Sequence, residues 1–173
     1  KRLNLVSARS LDDFWHRHVA DSAQILAHID KKPYVWLDIG SGAGFPALIV
    51  ALLRPAITMH LVESNHRKVA FLDAIIREID CPATTHACRA QDLSLPAIDM
   101  ISARACAPLS RLLPLLAPHF NKISTEALLH KGKNWQDELV QAQKTWQVDY
   151  TAHASLFAEG ACILHLQSRP KKR

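Results

Sequence analysis

With 173 residues, a mass of 19.3 kDa and 49% apolar side chains, the chain is sized for one ordinary domain around one buried core. No run approaches the roughly 18 to 20 uninterrupted apolar residues of a membrane span, and the opening Lys1-Arg-Leu-Asn4 lacks the apolar stretch of a signal peptide, so a soluble, cytoplasmic protein is expected. A net charge of +5 and a pI near 9.2 favour an anionic partner. Cys81, Cys88, Cys106 and Cys162 form no Cys-x-x-Cys pair, which argues against a zinc site or disulfide framework and predicts buried free thiols.

Taken in chain order, Ser10 and Asp13 read as a capping box, and apolar residues at helical spacing predict a helix over 10–29. Because the chain starts at Lys1, without methionine, and runs almost directly into this helix, a truncated N-terminal helical part is expected over 1–33. The run 34–39 is rich in β-formers and predicts the first central strand; 45–53, too apolar to face water on any side, predicts a buried helix ended by Arg54-Pro55. Strands over 58–63, 84–88, 99–103 and 126–130 then alternate with helices over 66–79, 108–117 and 135–146. Trp135 and Trp146, eleven apart on that last helix, are expected as core anchors. Strands over 148–153 and 161–167 close the chain as an antiparallel hairpin. The pattern predicts an α/β, Rossmann-like, mostly parallel sheet with a C-terminal hairpin, a core spanning 34–168 of a single domain, and a basic tail at 169–173, read as a disordered arm or a charged end.

The most informative stretch is Leu37-Asp-Ile-Gly-Ser-Gly-Ala-Gly-Phe-Pro46, placed between a strand and a buried helix. Glycines allow a tight turn and let backbone approach a ligand. Dinucleotide binding expects G-x-G-x-x-G, which would put the third small residue at Phe45, and no Gly-Lys-Ser/Thr follows, which excludes a Walker A loop. The G-x-G-x-G spacing, with Asp38 two positions ahead of it, resembles the first motif of class I methyltransferases. There a carboxylate holds the amino end of S-adenosylmethionine and the glycines pass beneath it. Glu63, nineteen residues after Gly44, stands where an acid accepts hydrogen bonds from ribose hydroxyls.

The reaction is narrowed by what the fourth-strand region holds. Ser102-Ala-Arg-Ala-Cys-Ala-Pro108 is not the Pro-Pro-Tyr-like turn of amino-directed enzymes, and Ala107 separates Cys106 from the proline that commonly adjoins a cytosine C5 nucleophile. Guanine N7 carries an in-plane lone pair and no proton, so methylating it needs alignment more than a general base. Asn4-Leu-Val-Ser7, Arg17-His-Val-Ala-Asp-Ser22, the glycine motif, Ile101-Ser-Ala-Arg-Ala-Cys-Ala-Pro-Leu109 and His130-Lys-Gly132 together resemble the RsmG (GidB) family over nearly the whole chain. That resemblance implies methylation of a guanine N7 in 16S ribosomal RNA near the decoding site. It places Gly40 and Phe45 against the cofactor, Ala90 and Gln91 beside its adenine, and Arg104 at the mouth shared by cofactor and substrate.

The expected cofactor grip is therefore Asp38, Gly40, Gly42, Gly44, Phe45, Glu63, Ala90, Gln91 and Arg104. Arg104 and Lys131, each just after a predicted strand, reach the carboxyl-end rim where ligands sit; they are the candidate catalytic residues and, with Arg17 and His18, the substrate-binding candidates. A plain i,i+4 salt bridge between Arg17 and Asp21 is the alternative for that pair. Ribosomal RNA or the small subunit is the expected partner, with neither metal nor membrane, and the protein is expected to be a monomer. Two rival readings remain: a small-molecule methyltransferase, and an RNA-binding protein that keeps the fold without catalysis.

Overall fold

The computed structural model describes residues 12–30, 32 and 34–173. The Asn4–Ser7 motif and Ser10 of the capping box lie outside that range. The first helical run, called α1 here, winds through Trp15–Ala20 (π), Asp21–Ala23 (α) and Gln24–His28 (3-10), and it buries His18, Asp21, Ser22 and Ile25. Strands β1 (Val35–Ile39), β2 (Thr58–Val62), β3 (Ala83–His86), β4 (Met100–Arg104) and β5 (Glu126–Lys131) alternate with helices α2 (Ala47–Leu53), α3 (His66–Glu78), α4 (Leu109–Leu116) and α5 (Trp135–Gln143). Asn65 starts α3 by accepting the Arg67 N–H at 3.0 Å, which satisfies a donor the helix cannot.

The main sheet runs β3-β2-β1-β4-β5-β8-β7, where β7 is Tyr150–Ala154 and β8 is Cys162–Leu166. The first five strands are parallel; β8 pairs antiparallel with β5 and with β7, giving the expected terminal hairpin. Strand order reverses between β1 and β4, and in such sheets that crevice, beyond the strands' carboxyl ends, is where ligands bind. Alternate residues of β1 face opposite layers. Leu37 and Ile39 join the core beneath α4 and α5, while Trp36 joins the core beneath α2 and α3.

Three expectations are corrected. The helix expected over 135–146 stops at Gln143, and Trp146 begins a short strand, β6 (Trp146–Gln147), so the two tryptophans do not share a helix face, although both pack partly buried on the core. The partner of β6 is β9 (Lys171–Lys172), about 25 positions on, so the basic end is neither a free arm nor a bare charged end. Cys81 and Cys162 are buried as expected, but Cys88 is half-buried and Cys106 exposed.

Candidate active site

β1 carries Asp38 near its end, with only 1% of the residue's surface exposed. Trp36 Nε1 donates to Ser102 Oγ at 2.9 Å, and Ser102 donates to Asp38 Oδ1 at 2.5 Å, fixing the carboxylate from the neighbouring strand. Asp38 Oδ2 is buried and has no partner among the described residues. Burial pushes this carboxyl up to about 7, the Ser102 bond opposing only part of the shift. A buried acceptor left open at the end of a central strand is a place where a ligand's donor fits.

The turn after β1 is held by Gly40 N–H donating to Val62 O at 2.9 Å and Gly44 N–H donating to Ser41 O at 2.7 Å. Gly40 has φ +69°, and a Cβ there would lie 2.4 Å from Cys106 Sγ, so only glycine fits between this turn and the β4 loop. Glu63, after β2, is 8% exposed; Oε2 accepts the Gly42 N–H at 3.1 Å and Oε1 the Asn65 N–H at 2.8 Å, with Lys68 Nζ 3.9 Å away. Gly40, Glu63, Ala90, Gln91 and Cys106 line a cavity of about 420 Å³.

A second cavity of about 480 Å³ lies on the other side of Ala105 and Cys106, lined by Arg104, His130, Lys131 and Glu138 among others. Both cavities include Ala105 and Cys106, so this short segment is their common wall. Ala105 has φ +50°, a left-handed conformation that costs a non-glycine residue about 1 kcal/mol or more. Cys106 turns its sulfur inward against Gly40, and shielding from solvent, followed by Asp38 and Glu63, pushes its thiol up from the ordinary range. That disfavours a thiolate nucleophile.

The rim of the second cavity is a network built on α1. Arg104 Nη2 pairs with Asp21 Oδ2 at 3.0 Å and Nη1 donates to Ser22 Oγ at 3.2 Å; Nη2 also meets the Arg17 carbonyl. Asp21 Oδ1 further accepts from Gln24 at 2.6 Å, and the Asp21 carbonyl bonds His130 Nε2 at 2.8 Å. Burial lowers the His130 imidazole to about 4. Asp21 therefore spends its carboxylate on Arg104, and among the described residues no ion pair joins it to Arg17, whose side chain is exposed. Lys131, 8% exposed, pairs with Glu138 Oε2 at 2.5 Å and donates to Ala107 O at 3.2 Å; the same Glu138 oxygen accepts the Leu109 N–H at 2.9 Å. This bracket ties the end of β5 to the segment that continues the wall.

His18 is buried, neither ring nitrogen has a partner among the described residues, and burial lowers its pKa. Its ring stacks on Phe45 at 5.1 Å, and the Arg104 guanidinium lies 5.9 Å from the centre of the same Phe45 ring. Phe45 does not line the Glu63 cavity; it faces a separate apolar hollow with Phe14 and Leu48. Of the expected cofactor grip, Gly40, Glu63, Ala90 and Gln91 line the first cavity, Asp38, Gly42 and Gly44 shape the turn beside it, and Arg104 lines the second together with Lys131, the other candidate catalytic residue. Sequence reasoning missed Ser102, His130 and Glu138 as site residues. Ser102 stands in the Ser-Ala-Arg-Ala block and His130 beside Lys131, but nothing local marks Glu138, which arrives from a helix. Among the described residues no cluster of His, Cys, Asp or Glu could hold a metal, and no helix is long and apolar enough to cross a membrane.

Comparison with known proteins gives matches over nearly the whole chain. A ribosomal RNA small subunit methyltransferase G from Rhodospirillum centenum is 46% identical over 164 residues, covering 95% of this chain and 75% of its own length. One from Rhizobium etli is 39% identical over 174 residues, covering 97% and 84%. Among solved structures, a mutant of MtNAS in complex with S-adenosylmethionine superposes with a TM-score of 0.70 at 8% identity, over 96% of this chain and 69% of its own. A ribosomal protein L11 methylase from Lactobacillus delbrueckii subsp. bulgaricus gives 0.69 at 15%, over 89% and 79%; at these identities both speak for the fold alone. Residues 1–166 match the family model GidB, rRNA small subunit methyltransferase G, and this chain belongs to that family.

Proposed function

We propose that the protein transfers a methyl group from S-adenosylmethionine to small-subunit ribosomal RNA, with N7 of a guanine as acceptor. The observation that carries this reading is the pair of open cavities that share Ala105 and Cys106, so that a methyl donor in one and an acceptor base in the other would meet in line at the edge of this segment. The first cavity suits the cofactor. Asp38 offers a buried oxygen with no partner among the described residues for an ammonium group, Gly40 lines the floor without a Cβ and lets Cys106 pack against the turn, Glu63 presents a carboxylate for ribose hydroxyls, and Ala90 and Gln91 border the space for a purine. When bound, the cofactor supplies an electrophilic methyl group on a sulfonium.

The protein's own task is alignment and exclusion of water, since an N7 lone pair needs no base to unmask it. Arg104, oriented by Asp21 and Ser22, and Lys131, oriented by Glu138, would hold the nucleotide from the second cavity. His18, stacked on Phe45, and exposed Arg17 extend this contact surface, and Phe45 supports the Arg104 guanidinium rather than the cofactor directly. The choice of N7 rests on family resemblance and on a sequence that carries no evident acid-base dyad after the fourth strand. We read the chain as one domain, acting as a cytoplasmic monomer without a metal. Labelled methyl transfer to small subunits lacking their native modification, followed by mass spectrometry of the digested RNA, tests the proposal: label on a guanine N7 is expected. Label on a small acceptor, insensitive to ribonuclease, would overturn it in favour of a small-molecule enzyme, and RNA binding without label would leave a silent binder.

A further inference from the structure

The basic end of the chain is built into the far end of the sheet, away from the cavities. Lys131, at the carboxyl end of β5, pairs with Cys162, whereas Ala127 near its start pairs with Leu166. The chain therefore leaves β8 at the amino ends of the parallel strands, and α5, starting beyond Lys131, returns to the same end. Five residue steps at about 3.3 Å place this end roughly 17 Å from the site rim. There Lys171 and Lys172 form β9, in register with Gln147 and Trp146, and the Arg173 N–H donates to Thr145 O at 2.9 Å.

Around this ribbon Lys144, Arg169, Lys171, Lys172 and Arg173 are all exposed, and no ion pair among the described residues includes any of them. Of the nearby acids, Asp149 follows β6, Glu126 at the start of β5 is engaged by His165 at 2.7 Å, and Glu159 lies in the β7–β8 turn at the opposite end. Five of the chain's 21 lysines and arginines are thus gathered on this ribbon and its approach. Lysines on an edge strand also deter sheet-to-sheet pairing, but two would serve that purpose, and neither Lys144 nor Arg173 lies on the paired edge. A backbone already fixed by β6 presents these charges with less ordering cost than a free arm would.

We infer that the β6–β9 ribbon is a phosphate-binding surface for ribosomal RNA, separate from the catalytic cavities, which requires substrate RNA extending round the α5 side of the protein. This rests on RNA being the substrate. A nucleotide seated at Arg104 cannot also touch β9, so the ribbon contributes binding and not chemistry.

The test is the triple variant K171Q/K172Q/R173Q in the full chain, with Arg77→Gln on exposed α3 as a control for general charge. Binding to small ribosomal subunits is measured without cofactor across a salt titration, and methyl transfer separately. Loss of three phosphate contacts should reduce the slope of log K against log salt by about 2 to 3. It should also raise KM for subunits about tenfold, with kcat and S-adenosylmethionine affinity unchanged. An unchanged slope and KM, or an equal loss per charge in Arg77→Gln, overturns the inference. If the unaltered protein binds subunits but methylates none, the proposed activity fails, while the cofactor-free binding slope still decides the ribbon's role.

Discussion

Replacing Asp38 by asparagine should stabilise the ligand-free protein at alkaline pH while weakening its grip on the cofactor. Burial moves the carboxyl from 3.8 to about 7, which is worth about 4 kcal/mol when Asp38 must be ionised. The sign follows from proton binding: between these values the native state holds a proton that the unfolded chain has released, so stability falls as pH rises. The favourable contribution is complete below pH 3.8 and gone above about 7. In Asp38→Asn the amide oxygen would keep the Ser102 bond, but the NH2 group would stand where Oδ2 has no partner, at a cost of about 1 to 3 kcal/mol. The variant should therefore match the parent or fall about 1 to 2 kcal/mol below it at about pH 4 to 5, and be more stable by about 1 to 3 kcal/mol at about pH 8. Urea unfolding of both proteins from about pH 4 to 9 measures this, and calorimetric titration measures S-adenosylmethionine binding, which should weaken at least about tenfold. A stability difference that stays constant across the range would refute the account of Asp38 as a carboxyl kept neutral by burial.

Gly40→Ala combines a clash 2.4 Å from Cys106 Sγ with a left-handed φ, so it should cost about 1 to 3 kcal/mol in stability and abolish measurable cofactor binding; near-normal affinity in calorimetry would contradict the turn's role. Arg104→Ala should remain folded by circular dichroism yet lose about 100-fold in methyl transfer if, as proposed, the guanidinium held between Asp21 and Phe45 orients the acceptor; full activity would remove Arg104 from the site. Glu138→Gln should weaken the Lys131 bracket, lowering kcat about tenfold with the cofactor dissociation constant unchanged, and an equal loss in cofactor affinity would show that the bracket shapes the first cavity instead. His130, held down at about 4 by burial, makes stability fall as pH drops from 6.5 toward 4, opposite in sense to Asp38; His130→Asn should flatten that acid limb in pH-dependent thermal unfolding.

The alternation of strand and helix was legible in the chain because each element carries its own period: 34–39 and 58–63 are runs of β-formers, and 66–79 repeats its apolar residues at helical spacing. The glycine turn was equally plain, since G-x-G-x-G between a strand and a buried helix marks a tight connection, and it is the combination with Asp38 and Glu63, tied to it by position in the chain, that pointed to a cofactor. Helix 135–146 was read too long because Trp146 suits either state by propensity. Its partner, Lys172, is fixed by a return of the chain that no local window contains.

What sequence alone determined was thus the sheet, its hairpin, the glycine turn and the presence of Arg104 and Lys131 at strand ends. Tertiary structure decided the partners: Asp21 belongs to Arg104 and not to Arg17, Glu138 to Lys131, Ser102 to Asp38, and the basic end to β6. Hydrophobic periodicity and turn chemistry act over a few neighbouring residues and are written in order along the chain. A charge or donor finds its partner by burial, across separations of 64 residues for Ser102 and Asp38 and 83 for Asp21 and Arg104, and only the packed sheet brings such groups within reach.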